Sequence, residues 1–111
     1  MTDSKPIVDE AVALVVEAVD GMNSSLDKFM PKTVNAYTVG MRPKSYLRHG
    51  DAFRAAIEVL NAIKADDIPA AKYRLEAARN SMKTARISFE DDEKMHREID
   101  EELDNFMGKH K

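Results

Sequence analysis

Few residues in this chain have types and spacings suited to chemistry. Glu93, His96 and Asp100 fall three and four residues apart in one acidic stretch. On a helix that spacing sets the side chains beside one another on one face, as the carboxylate–histidine ligands of di-iron bundles are set. A two-metal centre needs a second Glu-x-x-His step. The chain holds one, so a metal site would have to be shared between two copies of the chain, with Glu58 and Glu76 the only acids well placed on the middle helices. The plainer reading is a solvated acidic face in which a histidine falls, and no cofactor is expected. His49-Gly50-Asp51, between Arg48 and Arg54, has the residue types of a small acid–base or phosphate site. Gly50 and Asp51 are better explained as helix punctuation. No phosphate-cradling glycine loop, nucleophile elbow or Rossmann glycine set is present. With no Cys among 111 residues, disulfides, thiolate zinc sites and cysteine nucleophiles are excluded. The sequence therefore predicts a protein that binds rather than catalyses.

Charge is unevenly laid out. The formal net charge is −3, but residues 1–31 carry six acids against two bases, residues 32–86 eleven bases against five acids, and residues 87–111 nine acids against four bases. Lys72, Arg79, Lys83 and Arg86 line up at helical spacing, interrupted by Glu76, and Arg42, Lys44, Arg48, His49 and Arg54 form a basic run upstream. The bland expectation is that the basic stripe faces the acidic C-terminal segment, within the chain or across a dimer. Left free, the acidic face of Glu93, Glu98, Glu101, Glu102 and Asp104 would bind a basic protein surface. The alternative is an anion-binding face of Lys72, Arg79, Lys83 and Arg86 for nucleic acid or a nucleotide. An acidic pI of 5.6 and three isolated tyrosines, Tyr37, Tyr46 and Tyr73, speak against general nucleic-acid binding.

The elements that position these groups are helices. The length is that of one domain, residues 1–111. Only Ala36 to Met41 hints at strand alternation; the rest has helical period, and the sequence predicts an all-α antiparallel bundle of four helices, at about 6–29, 45–65, 68–88 and 89–107, with a loop over 31–43. Asp3 or Ser4 caps the first, with Pro6 in its first turn. Asp51 is a possible later start for the second, after Gly50. Asp67 caps the third, with Pro69 behind it, and the short Asp66-Asp67 turn makes helices two and three antiparallel. Ser88 and Asp91 resemble a capping pair for the fourth, which Gly108 ends. Neither Gly nor Pro separates the third helix from the fourth, so the two are candidates for one long helix.

The first helix is the greasiest. Val8, Val12, Val15, Val19, Met22, Leu26 and Phe29 recur at alternating spacings of four and three, three heptads in all. Its polar residues occupy an arc of roughly 100°, leaving about 260° apolar, where a surface helix shows a stripe of a little over 100°. Such a helix needs cover on several sides, and the sequence predicts a homodimer through Val12, Val15, Val19, Met22 and Leu26. No stretch reaches the roughly 20 nearly uncharged residues of a bilayer crossing. The amino end lacks the basic region of a signal peptide, so a cytoplasmic location without membrane attachment is expected.

Overall fold

The structure, a computed structural model, describes residues 4–29 and 42–109. Three helices account for them: α1 (Lys5–Phe29), α2 (Lys44–Lys64) and α3 (Ile68–Lys109). The described residues contain no strand, and none of their helices is long and apolar enough to cross a membrane. The predicted strand-like stretch Ala36 to Met41 and nearly all of the predicted loop lie outside the described residues.

The expected third and fourth helices are one. From Ala70 to Met107 nothing interrupts the helical period, and Ser88 does not cap; it is buried and continues the inward row Ala78, Met82, Ala85. An acid-rich composition does not terminate a helix, and α3 runs 42 residues, to one residue past Gly108. At 1.5 Å per residue it is about 63 Å long, which sets the long axis of a 68 × 25 × 16 Å molecule.

The α2–α3 turn shows how the chain stops and restarts within a few residues. Asp66 adopts a left-handed backbone, φ 58°, a conformation Asp tolerates better than most non-glycine residues. Its N–H bonds to Ile63 O and that of Asp67 to Ala62 O, both 2.9 Å, the paired closure of a Schellman motif. Asp67 Oδ1 then accepts the Ala70 N–H at 3.1 Å, capping α3 as its sequence position predicts. At its other end, α2 begins at Lys44 behind Pro43, so Gly50 and Asp51 lie inside the helix and do not start it.

α2 runs antiparallel to α1 and α3, which are parallel to each other. The core between them is built largely from small side chains: Ala11, Ala18, Ala52, Ala56, Ala71, Ala78 and Ala85 are each at most 1% exposed, interspersed with Leu14, Val59, Leu75 and Met82. On α3 the inward row is Ala71, Leu75, Ala78, Met82 and Ala85, at alternating spacings of four and three. On α1 the heptad seam is not the inward row. The buried row is Ile7, Ala11, Leu14, Ala18 and Ser25, about 90° around the helix from the heptad seam. Val12, Val16 and Val19 are 46%, 54% and 37% exposed, and Val8, Val15, Met22 and Leu26 are half-buried. The expectation that α1 is wetted along one narrow polar strip therefore fails within a single chain. Small residues win the interior because they bring helix axes closer together.

Gly21 is the extreme case. A Cβ there would lie only 2.1–2.6 Å from Cδ2, Nε2 and Cγ of the His49 ring, which packs against the glycine. Gly21→Ala is expected to lower stability by about 1–3 kcal/mol as an over-packed contact. In urea denaturation, much of that loss should disappear when His49→Ala is combined with it. An additive double variant would show that the two residues are not in contact.

Candidate functional site

At the end of the bundle where α1 finishes and α2 starts, each helix replaces the next apolar residue of its inward row with a polar one. Ser25 on α1, Ser45 and His49 on α2, and Ser88 and Asp92 on α3 are all buried. Ser25 Oγ donates to Gly21 O at 2.8 Å, so Ser45 Oγ, 2.7 Å away, donates to Ser25 Oγ. The buried Asp92 carboxylate accepts the Ser45 N–H at 2.8 Å. Pro43, at the N-cap position of α2, makes no side-chain cap. Asp92, 47 residues away in sequence, supplies the acceptor that the first turn of α2 needs. His49 Nδ1 lies 2.8 Å from Ser45 O; a carbonyl only accepts, so Nδ1 carries the hydrogen.

A serine, a histidine and an aspartate thus meet in one place, but their wiring is not nucleophilic. In a hydrolytic triad the imidazole gives its Nδ1–H to the carboxylate and faces the hydroxyl with Nε2. Here Nδ1–H goes to a main-chain carbonyl, Nε2 lies over Gly21 and the carboxylate holds a backbone N–H. The trio joins three helices. Aromatic rings cover it: Phe29 and Phe89 meet edge to face at 5.1 Å, His49 stands perpendicular to Phe89 at 6.4 Å, and Phe29 lies 5.9 Å from His96. Beyond them an open cleft of about 280 Å³ runs between Phe29, Pro43, Met95 and Ile99.

The basic stripe finds acids on α1, not on the C-terminal segment. Arg79 Nε and Nη2 donate to the two Glu10 oxygens at 2.5 and 2.6 Å. Arg86 repeats the arrangement on Glu17, with both bonds 2.7 Å. Both pairs are bidentate and seven residues apart on each helix, which matches the parallel register of α1 and α3. Hydrogen bonding to arginine, opposed in part by burial, holds both carboxyls below their ordinary value. Two of the four predicted anion-binding residues therefore already hold anions within the chain. Lys72 and Lys83 are exposed, and Lys83 borders a shallow cleft beside Arg79 and Arg86.

The acidic residues separate along α3. Glu93 lies 3.8 Å from Lys28, whose ammonium also sits over the Phe89 ring. Past this level, α3 continues with Glu98, Glu101, Glu102 and Asp104 exposed, and no described residue pairs with any of the four. His96 Nε2 is 3.8 Å from Asp100, while Glu93 turns to α1. Among the described residues no three His, Asp or Glu side chains converge closely enough to hold a metal ion, so Glu93, His96 and Asp100 do not form one within a chain. The predicted dimer-interface residues Val12, Val15, Val19, Met22 and Leu26 lie together along the outer side of α1, next to α2: a Cβ on Gly50 would sit 3.8 Å from Met22 Sδ.

Local reading missed Ser25, Ser45 and Asp92. The signal was there in phase, since each polar residue continues an alanine row and all three fall at the same end of the bundle. No protein-family model, curated protein or solved structure matches the chain.

Two outcomes follow from this geometry. Asp92→Ala leaves the buried Ser45 N–H without its acceptor and should cost about 1–3 kcal/mol in urea denaturation; Asp92→Asn, which keeps an oxygen there, should cost clearly less. Glu10 and Glu17 have folded-state values lowered from 4.5. Their stabilisation is present above pH 4.5 and is lost as pH falls through the lowered values. In a urea-midpoint series from pH 7 to 3, the Glu10→Gln/Glu17→Gln double variant should show less acid loss than the parent chain. Parallel curves would remove the ladder as its source.

Proposed function

We propose that the protein is a non-catalytic helical module with a regulatory, inhibitory or adaptor role, that it binds another protein through the acidic C-terminal part of α3, and that it works as a homodimer through α1. The observation that carries this reading is the run of exposed carboxylates on α3, Glu98, Glu101, Glu102 and Asp104, beyond the level where α1 ends and unpaired with any described residue. Among the described residues, the close charge pairs between helices join one helix to another. Arg79 and Arg86 hold α1 in register, and Arg74 reaches Glu58 on α2 at 3.2 Å. An unneutralised acidic rod favours basic protein surfaces and speeds encounter with them at low salt.

Anion binding by the α3 stripe is the weaker reading, because a phosphate would have to displace Glu10 or Glu17 to reach Arg79 or Arg86. Self-association is supported by the partly exposed heptad seam of α1, where Val12 and Val19 are exposed and Val8, Val15, Met22 and Leu26 half-buried, and α1 is the natural place for a second copy.

Glu98→Lys/Glu101→Lys/Glu102→Lys tests the acidic face. Proteins captured from host extract by the parent chain should be lost from the triple variant, while the helical circular dichroism of the two remains the same. The same complexes should weaken between low and high salt. Equal capture by parent and variant would overturn the assignment.

A further inference from the structure

We infer that two copies of this chain pack with their α1 helices parallel about a two-fold axis running along the helices, so that α2 of each copy covers the acidic flank of the other's α1. This rests on the self-association proposed above and adds the arrangement.

The heptad seam is not symmetric about its own line. On one side of it lies α2 of the same chain. On the other lie Asp9, Asp20 and Asp27, within about 20° of one another and roughly 100° around α1 from the seam centre. The most exposed valines, Val12 and Val16, lean toward this aspartate side. A second α1 alone covers the seam, including part of Val12, and leaves Val16 wet.

Two-fold packing of a helix on itself has two forms. In the antiparallel form like flank meets like flank, so aspartates face aspartates and α2 faces α2. In the parallel form each aspartate flank meets the partner's α2, and heights along the bundle are preserved. Those heights can be read from the structure: Ser25 is level with Ser45, Gly21 with His49 and Met22 with Gly50. Carrying that antiparallel register along α2 puts Ile57 between Val12 and Val16, Arg54 within about a turn of Asp20, and Lys64 within about a turn of Asp9. Ile57 is half-buried, Lys64 is exposed, and Arg54 is exposed with its guanidinium on Asp51 of the same helix at 3.0 Å, leaving its other N–H groups to a second carboxylate. One face of the chain thus carries an apolar side chain, Ile57, and two cations, Arg54 and Lys64, matched in height to its own valines and aspartates. A second copy is the partner that supplies both at the right level, which commits the face to self-association.

The chain has no cysteine, so single introduced thiols report on the arrangement cleanly. Val12→Cys and Leu26→Cys lie on the seam about 21 Å apart, far beyond disulfide reach of about 7 Å between Cα atoms. Under mild oxidation the parallel dimer should cross-link each variant to itself, and an equimolar mixture should add no bridge between unlike positions. Cross-linking only in the mixture overturns the parallel arrangement while leaving self-association intact. A dimer by sedimentation in which neither variant cross-links, alone or mixed, removes α1 as the interface. A monomer at every concentration removes self-association and with it the arrangement. As an independent readout, Asp20→Arg should weaken the dimer roughly three- to tenfold, and Arg54→Asp in the same chain should recover most of the loss. Failure of the second change to rescue the first would also overturn the arrangement.

Discussion

The core of this protein is made of alanine, and most of the rest of the structure answers to that choice. Eight of the thirteen buried apolar residues among those described are alanines. Each contributes little buried area by itself, so stability has to come from close, dispersion-rich contact between backbones rather than from large interlocking side chains. On α1 the inward row is Ile7, Ala11, Leu14 and Ala18, while Val12, Val16 and Val19 face outward and Val8 and Val15 are half-buried. A close helix contact falls on glycine, at Gly21 under His49.

An alanine core also has little shape to specify alignment, since one alanine packs much like another. Polar groups supply what the apolar ones lack. The Ser25–Ser45–Asp92 junction ties all three helices at one end through hydrogen bonds that have no equivalent if any helix shifts. No buried side-chain nitrogen or oxygen among the described residues lacks a partner, so the junction fixes alignment without the penalty of an orphaned group.

Much of this was legible in the residues. Helical period, the Asp67 cap and the short turn that makes α2 and α3 antiparallel are local features, and they stand in the structure as read. The inward face of α1 was not legible, because ranking residues by hydrophobicity selects Val12 and Val19 over Ala11 and Ala18, whereas the structure buries those two alanines in one row with Ile7 and Leu14. The junction between the predicted third and fourth helices was misread from Ser88 and Asp91, whose spacing imitates a cap. Nothing local distinguishes that from Ser88 and Asp92 turned inward toward α2. Asp92 as the cap of a helix 47 residues upstream, and Glu10 and Glu17 as the counter-ions of Arg79 and Arg86, are non-local facts. Charge totals by segment showed that opposite charges would meet, but not which ones.

The ion-pair ladder between α1 and α3 has a property that neither rung shows alone. Because its period is seven residues on both helices, it is a ruler with repeating marks. Sliding α1 by one period still seats one glutamate on one arginine, Glu10 on Arg86 or Glu17 on Arg79, so electrostatics on their own tolerate two misalignments. The notch at Gly21 does not repeat: one period away, the residue brought over His49 is Leu14 or Lys28. The ladder sets the pitch and the notch selects the tooth, so the missing side chain of Gly21 rejects, together with the Ser25–Ser45 bond, the misalignments that the ladder would accept.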